Sequence, residues 1–530
     1  MDYKEIKDKE EIVKKLLKRF DNTFLTLKDL PPPYALKGME KAANRIVEAI
    51  NKKEKICIVG DYDCDGICSV SELVLFFREI NYPVQWTIPD RFLEGYGLSP
   101  KIIERLDDPK VIITVDNGIA AIEAGELCAK KNIDLIITDH HIAPEILPKA
   151  YVIVDQKQKD CSFPFAEICG AQIAWYLIAA LKKVLNLKDL DMRSYLDIAT
   201  IATIADVMPL TEINRAFTIA GLKQFKKTVH PAIKVFRKEK NISTPKSDDI
   251  GFLLGPILNS SGRMDNAKYS IDFLISKSEE EALLSFQKLL NFNEARKETE
   301  KNITEEAELK ILDSDKFIIV EGENLHEGVV GIVAAKIARD HKRPCLVLNR
   351  GKNGILKGSG RNYGDIDLFE ILNENKHLFD KFGGHTAAAG LSMQEDNLPK
   401  LKENIKKIME RPKYNIKYID PSILGFLDFS LIDFNLLEVL SKFEPFGQGN
   451  PFPKFIQKVE IVDFSLMGSD KSHSRFTFKH NNIEFKGVKF KSNTPFKVGE
   501  KVKITFLLNK NEFRGSSSIQ LMIEEIHYLK

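Results

Sequence analysis

Three short apolar runs each end in a cluster of acidic or imidazole side chains. KICIVG (55–60) runs into DYDCDG, VIITV (111–115) into DNG, and DLIIT (134–138) into DHH. Runs without polar alternation are buried on both faces, which a parallel sheet covered by helices provides. A fourth run, YVIV (151–154), has the same texture, and helix-patterned sequence separates the runs. The chain from about residue 55 therefore reads as α/β. In such a sheet the C-terminal strand ends line one crevice, and ligands bind there. Asp61, Asp63 and Asp65, then Asp116, then Asp139, His140 and His141 are all delivered to that edge. Asp206, in the apolar segment IATIADVMPL, adds another carboxyl.

Like charges in this number share a crevice only if a cation neutralises them. Carboxylates select hard divalent ions, and imidazole shifts the preference toward Mn2+. Two such ions about 3.5–4 Å apart clamp a phosphate ester and activate a water for in-line attack. Helix caps and strand-end turns account for one or two of the aspartates. They leave Asp206 and the tandem histidines unexplained.

At about 150 residues per domain, 530 residues suggest three or four domains. We divide the chain into an N-terminal helical segment (1–54), a catalytic α/β domain (55–215), a helical region and connector (216–312), a second α/β domain (313–412) and a C-terminal β-barrel (413–530). The charged stretch 276–312 reads as one or two long helices forming a solvated connector. KFIIVEG and CLVLNR are strands of the second α/β unit, which also holds the Gly-rich stretches LKGSGRNYG and FGGHTAAAG. In the barrel, residues 454–530 carry 14 Lys and Arg against 8 Asp and Glu, a net of +6. Phe476, Phe478, Phe485, Phe490 and Phe513 interleave with those bases, which suits single-strand binding by stacking. The competing account is that they fill the barrel core.

The whole-chain charge of only +2 places any nucleic-acid site in a local patch. The apolar stretch SVSELVLFFREI is too short for a membrane span and is broken by Glu72, Arg78 and Glu79. Seven cysteines without a paired framework indicate reduced thiols and a cytoplasmic chain.

The motifs DYDCDG, VDNG, TDHH and ATIADVMPL resemble the four signatures of the DHH phosphoesterase superfamily. GPILNSSGR, HEGVVGIVAAK, GSGR and FGGHTAAAG are similar to further motifs of its RecJ exonuclease branch, and EPFGQGNPFP resembles the start of that branch's oligonucleotide-binding (OB-fold) barrel. The resemblance covers about residues 30–530. It implies a parallel-sheet DHH domain, a long helical connector, a second (DHH-associated) α/β domain and a C-terminal OB-fold. The implied activity is a 5′→3′ exonuclease on single-stranded DNA that uses two divalent cations (Mn2+ or Mg2+) and releases 5′-mononucleotides in repair and recombination. By position, Asp63 would bind one ion and Asp65 the other, with Asp116 bridging them. His140 and Asp206 would complete the second site, and Asp61 would add to the cluster. His141 would contact the scissile phosphate or the attacking water, and Asp139 would orient His140. A helicase and a single-strand-binding protein are the implied partners of a monomeric enzyme.

Anion grips follow from the same motifs. Arg91 and Tyr96 in PDRFLEGYG would hold the 5′ end and stack on or wedge a base, by resemblance. Arg263 sits among small residues that let a backbone approach, and its fork matches phosphate bidentately. Ser359, Gly360 and Arg361 read as an anion nest for a terminal 5′-phosphate, with His385 close by and His326 as a further contact. The alternative is a phosphodiesterase of short oligonucleotides or cyclic dinucleotides, which would not need the basic third module. A catalytically dead scaffold would lack metal ligands that are all present here.

Overall fold

The computed structural model describes residues 3–351, 353–414, 419–468, 471–513 and 515–529, with the side chain of Phe513 outside that description. Strands β1 (Ile56–Val59), β2 (Gln85–Thr87), β3 (Val111–Val115), β4 (Asp134–Thr138) and β5 (Val152–Val154) form one sheet in the order β2-β1-β3-β4-β5. Every pairing in it is parallel. β1 and β3 are neighbours although β2 lies between them in sequence, so the strand order reverses at β1. In open α/β sheets the crevice at such a switch point is where ligands bind. β1, β3 and four residues of β4 are buried, as continuous apolar runs require.

A second sheet, in the order β6-β7-β8-β10-β9, uses β6 (Ile318–Glu323), β7 (Cys345–Arg350), β8 (Ile355–Arg361), β9 (Lys381–His385) and β10 (Ala388–Gln394). Only β6 and β7 run parallel. The last sheet holds β11 (Ile423–Phe426), β12 (Lys454–Met467), β13 (His473–His480), β14 (Ile483–Lys489), β15 (Lys501–Phe513) and β16 (Ser516–Tyr528). Pairing of β12 with β15 closes five of these strands into a barrel. Among the described residues, no helix is long and apolar enough to cross a membrane.

The stretch read as a solvated connector is a single helix, Glu279–Glu308, and it is anchored at both ends. Ala282, Phe286 and Leu289 enter the core of the first α/β unit, and Ile303 and Ala307 enter the core beneath β6 and β7. The helix is thus a packed strut that sets the spacing of the two α/β units.

Residues 1–54 do not act as one segment. The helix Met39–Lys52 buries Met39, Ala42, Ala43, Ile46 and Ala49 in the first core. Ile6, Ile12, Leu16 and Phe20 are buried in the barrel's core instead, and Glu5 bridges to Phe426. Arg215 holds the two together: it lies over the rings of Phe20 and Phe24 and donates to the carbonyls of Lys442 and Glu444. Cutting the chain after residue 412 would therefore strip the cover from four large apolar side chains. We expect residues 1–412 to aggregate, and residues 23–412 to stay monomeric by light scattering, because the uncovered face leaves with the barrel.

The barrel also corrects part of the stacking expectation. Phe476 and Phe478 are 1% and 0% exposed and stack on each other at 4.9 Å, so they fill the core. Phe485 packs edge-on to Phe429, and Phe490 is exposed beside His473. Phe513 lies outside the described side chains.

Candidate active site

The loop after β1 folds back on the start of the helix Cys64–Glu79. A Cβ on Gly66 would stand 2.4 Å from the Asp61 carbonyl, so glycine is required there. Asp63 caps this helix, accepting from the N–H groups of Asp65 (3.0 Å) and Gly66 (3.2 Å). Asp65 accepts from Gly170 N (2.6 Å) and Ala171 N (2.8 Å), at the start of the helix Gly170–Val184. Each of these two carboxylates thus accepts from the N-terminus of a different helix, which favours its charge. Asp116 follows β3 in the left-handed region, at φ 61°. His140 Nε2 lies 3.0 Å from Asp116 Oδ1, 3.5 Å from Asp65 Oδ2 and 3.8 Å from Asp206 Oδ2. Asp206 closes the helix Leu196–Ala205.

Ligand atoms of Asp61, Asp63 and Asp116 lie within 4.8 Å of one another, as do those of Asp65, His140 and Asp206, and those of Asp116, His140 and His141. Asp61 Oδ1 and Asp206 Oδ2 are buried without a hydrogen-bond donor. Burial, then neighbouring carboxylates, push Asp61, Asp116 and Asp206 well above the usual carboxylate range. Burial also raises Asp65 and lowers His140. Alone, these groups suppress each other's charge. The oxygen-rich set with one neutral imidazole fits hard divalent cations, which would reverse that suppression.

The second histidine differs from the sequence expectation. Asp139 does not orient the His140 ring; it accepts only that residue's backbone N–H, at 2.8 Å, and His140 Nδ1 is buried without a partner. The Asp139 carboxylate instead holds His141 Nδ1 at 2.7 Å and accepts from Ile119 N at 2.9 Å. Burial lowers the His141 pKa, but the hydrogen bond and charge of Asp139 outweigh it, and the net shift is upward. Tyr96 donates to the Asp116 carbonyl (3.1 Å), and its hydroxyl lies 3.4 Å from the His141 ring nitrogens.

Beside this cluster lies a cavity of about 620 Å³ whose lining includes Arg91, Arg263, Lys357, Ser359, Arg361 and Lys381. Ser359 and Arg361 belong to β8, a central strand paired with β7 and β10. They therefore do not form a nest of free backbone N–H groups, because those are committed to the ladders. Residues two apart share a strand face, so Lys357, Ser359 and Arg361 line the cavity together. Gly360 is on the other face, where a Cβ would stand 3.0 Å from Leu368. Arg361 donates to Ser359 Oγ (2.8 Å) and the Gly360 carbonyl (2.7 Å). Arg263 donates to the Gly328 carbonyl (3.1 Å); burial, then Arg91, lower its pKa to about 10. Glu327 also lines the cavity and pairs with Lys357 (2.9 Å), so the three arginines carry the excess positive charge that suits an anion. His326 and His385 are not brought into the lining: His326 packs edge-on to Phe92, and His385 is exposed and accepts from Ala387 N.

Sequence reasoning missed Lys357 and Lys381, though the alternation Lys357-Ser359-Arg361 was available. It also missed Asp155, which ends β5 as the other acids end their strands and which burial pushes up to about 7. Gly170 gave no signal, yet a Cβ there would stand 2.7 Å from Asp116 Cβ and 3.1 Å from Asp65 Oδ2. Gly331 is similar, its added Cβ lying 2.9 Å from Arg361 Nη2 and 3.1 Å from Ser359 Oγ. We expect Gly331→Ala to keep or slightly raise the melting temperature, since alanine favours the helix Val330–His341. The displaced guanidinium should weaken anion binding in this cavity about tenfold, measured by phosphate competition.

The chain is similar to known proteins along most of its length. Residues 55–203 match the DHH family, N-terminal domain; residues 314–411 match the DHHA1 domain; residues 425–525 match the RecJ OB domain. The single-stranded-DNA-specific exonuclease RecJ of Haemophilus influenzae is 30% identical, over 94% of this chain and 92% of its own length. The Bacillus subtilis protein of the same name is 32% identical, and the chain spans 64% of its length. The crystal structure of RecJ in complex with Mn2+ from Thermus thermophilus superposes with a TM-score of 0.80 at 25% identity, over 93% of this chain and 72% of that one. An exonuclease RecJ bound to manganese gives 0.62 at 28% identity, over 73% of this chain and 96% of that one. These matches, in the same order along one chain, show that the protein belongs to the RecJ family of single-stranded-DNA-specific exonucleases, within the DHH superfamily.

Proposed function

We propose that the chain hydrolyses single-stranded DNA from the 5′ end, releasing 5′-mononucleotides. The observation that carries this reading is the junction of the two anion-handling sites at Tyr62. This residue stands between Asp61 and Asp63, its ring takes the Arg91 guanidinium at 5.0 Å, and its carbonyl is 2.6 Å from where a Cβ on Gly262 would be, beside Arg263. A terminal phosphate gripped by Arg91, Arg263 and Arg361 places the next phosphodiester against the carboxylates. An end is then selected over an internal position.

Two divalent cations, Mn2+ or Mg2+, fit the donors: Asp61, Asp63 and Asp116 for one, Asp65, His140 and Asp206 for the other, with Asp116 close enough to His140 to serve both. When bound, such ions neutralise phosphate oxygens and supply a water of lowered pKa. The chain's own part is orientation and proton supply. Asp139 fixes His141 and keeps it protonated at higher pH than a free imidazole, so His141 can donate to a phosphate oxygen. Tyr96 ties the position of His141 to the Asp116 backbone. In this reading a helicase and a single-strand-binding protein supply the strand to a cytoplasmic monomer.

The test is a 5′-phosphorylated strand of about 30 nucleotides labelled at either end, with Mn2+ or with EDTA. Mononucleotides should leave the 5′ end only, and only with Mn2+. Release from the 3′ end, or turnover confined to dinucleotides, would refute the reading.

A further inference from the structure

Between the short helix Ser247–Asp249 and the helix Gly255–Met264 the chain makes one wide turn, Ile250–Leu254, with π-type pairing. Turns of this kind are rare and recur at functional sites. The wide turn drives its side chains apart: Ile250 and Leu254 are 0% and 1% exposed, whereas Phe252 is 76% and Leu253 40% exposed. Among the described residues Phe252 is the most exposed phenylalanine.

The turn sits against the helix that ends in Asp206. A Cβ on Gly251 would meet Ile204 at 3.4 Å, and one on Gly255 would meet Ala205 at 3.2 Å. Val207, next to Asp206, is 61% exposed and held at φ 57°, where β-branched residues rarely occur. A cavity of about 200 Å³ is lined by Ala205, Gly251, Gly255, Asn259, Arg263 and Arg296. Arg263 also lines the larger arginine cavity. On the far side, the loop that enters the barrel grips both segments: Leu210 N donates to the Gln448 carbonyl (2.7 Å), and Ser247 Oγ donates to the Phe446 carbonyl (2.9 Å). The turn therefore lies between the phosphate-gripping arginines and the barrel, alongside Asp206.

We infer that Phe252 is a stacking platform for an unpaired base on the 3′ side of the bond being cut. This rests on the exonuclease reading above. The occupant is a nucleobase because every base presents a π-face whatever the sequence, and the cavity beside the turn adds an amide, Arg263 shared with the larger cavity, and Arg296, which is paired with Glu300 at 2.7 Å. A stacked base would hold the strand taut across the carboxylates, with its continuation directed to the barrel.

The experiment compares wild type with Phe252→Ala, Phe252→Leu and Phe252→Trp. With Mn2+, Phe252→Ala and Phe252→Leu should lower the ratio of kcat/KM on a strand of about 20 nucleotides to that on a dinucleotide about tenfold, through KM, and Phe252→Trp should restore it. An abasic site walked along the first few nucleotides should reproduce the loss at one position in wild type and add nothing in Phe252→Ala. Fluorescence anisotropy in EDTA should show the same loss of binding with hydrolysis removed. Unchanged anisotropy in Phe252→Ala, full rescue by leucine, or an abasic effect independent of Phe252 would overturn the inference. Absence of 5′ hydrolysis by the wild type with Mn2+ would instead overturn the exonuclease reading and leave the anisotropy result to stand on its own.

Discussion

Replacing Asp116 by asparagine should abolish hydrolysis while making the metal-free protein more stable. Asparagine tolerates the left-handed backbone at this position, so the substitution changes charge and little else. Asp116 belongs to two of the three ligand clusters, and its loss should cost about a thousandfold or more in turnover, the scale for a group acting directly on the reacting centre. Stability moves the other way because burial and four neighbouring aspartates raise the Asp116 pKa. An acid with a raised folded pKa stabilises the fold only while protonated. In EDTA the wild type should therefore lose stability as pH rises from the unfolded value near about 4 through the raised one, and the variant should lose less. Mn2+ at a hundred times its dissociation constant should add about 2.7 kcal/mol to the wild type and clearly less to the variant. Thermal melts with EDTA and with Mn2+ check both signs. Turnover within tenfold of wild type would show that Asp116 is not a ligand, and a lower metal-free melting temperature would show that its charge is no burden on the fold.

The second large effect is expected at Arg361. Its guanidinium donates to Ser359 Oγ and the Gly360 carbonyl, and burial, then Arg91, lower its pKa, so its charge stands ready for an anion at some cost to the fold. Two charge-assisted bonds to a phosphate, at about 1.5–3 kcal/mol each, make Arg361→Ala worth about a hundredfold or more in kcat/KM on a 5′-phosphorylated strand. On a 5′-hydroxyl strand the loss should be within about threefold, and the preference for the phosphate should vanish. Equal losses on both strands would mean that Arg361 serves the architecture and not the end.

The strand-end acids were legible because a buried parallel strand has no disguise: a continuous apolar run must be covered on both faces, and the residues after it fall at one edge. The ring partner of Asp139 was not legible, since adjacent residues past a strand end turn opposite ways and sequence does not say which imidazole returns. Ser359-Gly360-Arg361 read as an anion nest because a glycine between polar residues suits one; here the small residue makes room for Leu368 under a central strand. Phe476 and Phe478 alternate as either an inner or an outer barrel face would, and only closure of β12 on β15 decides between them. The helix Lys9–Leu17 announces an apolar stripe but not its cover, which is more than 400 residues away.

That distance has a consequence for how the protein is made. Glu5 meets Phe426, so the segment around Ile12 leaves the ribosome some 420 residues ahead of the barrel that buries it. At about 5–20 residues per second, translation keeps that apolar stripe waiting for about 20–80 s, while the α/β units have time to fold. The barrel is then completed by capturing an early part of the chain, so a module synthesised after both α/β units is also the clasp that fastens the molecule shut.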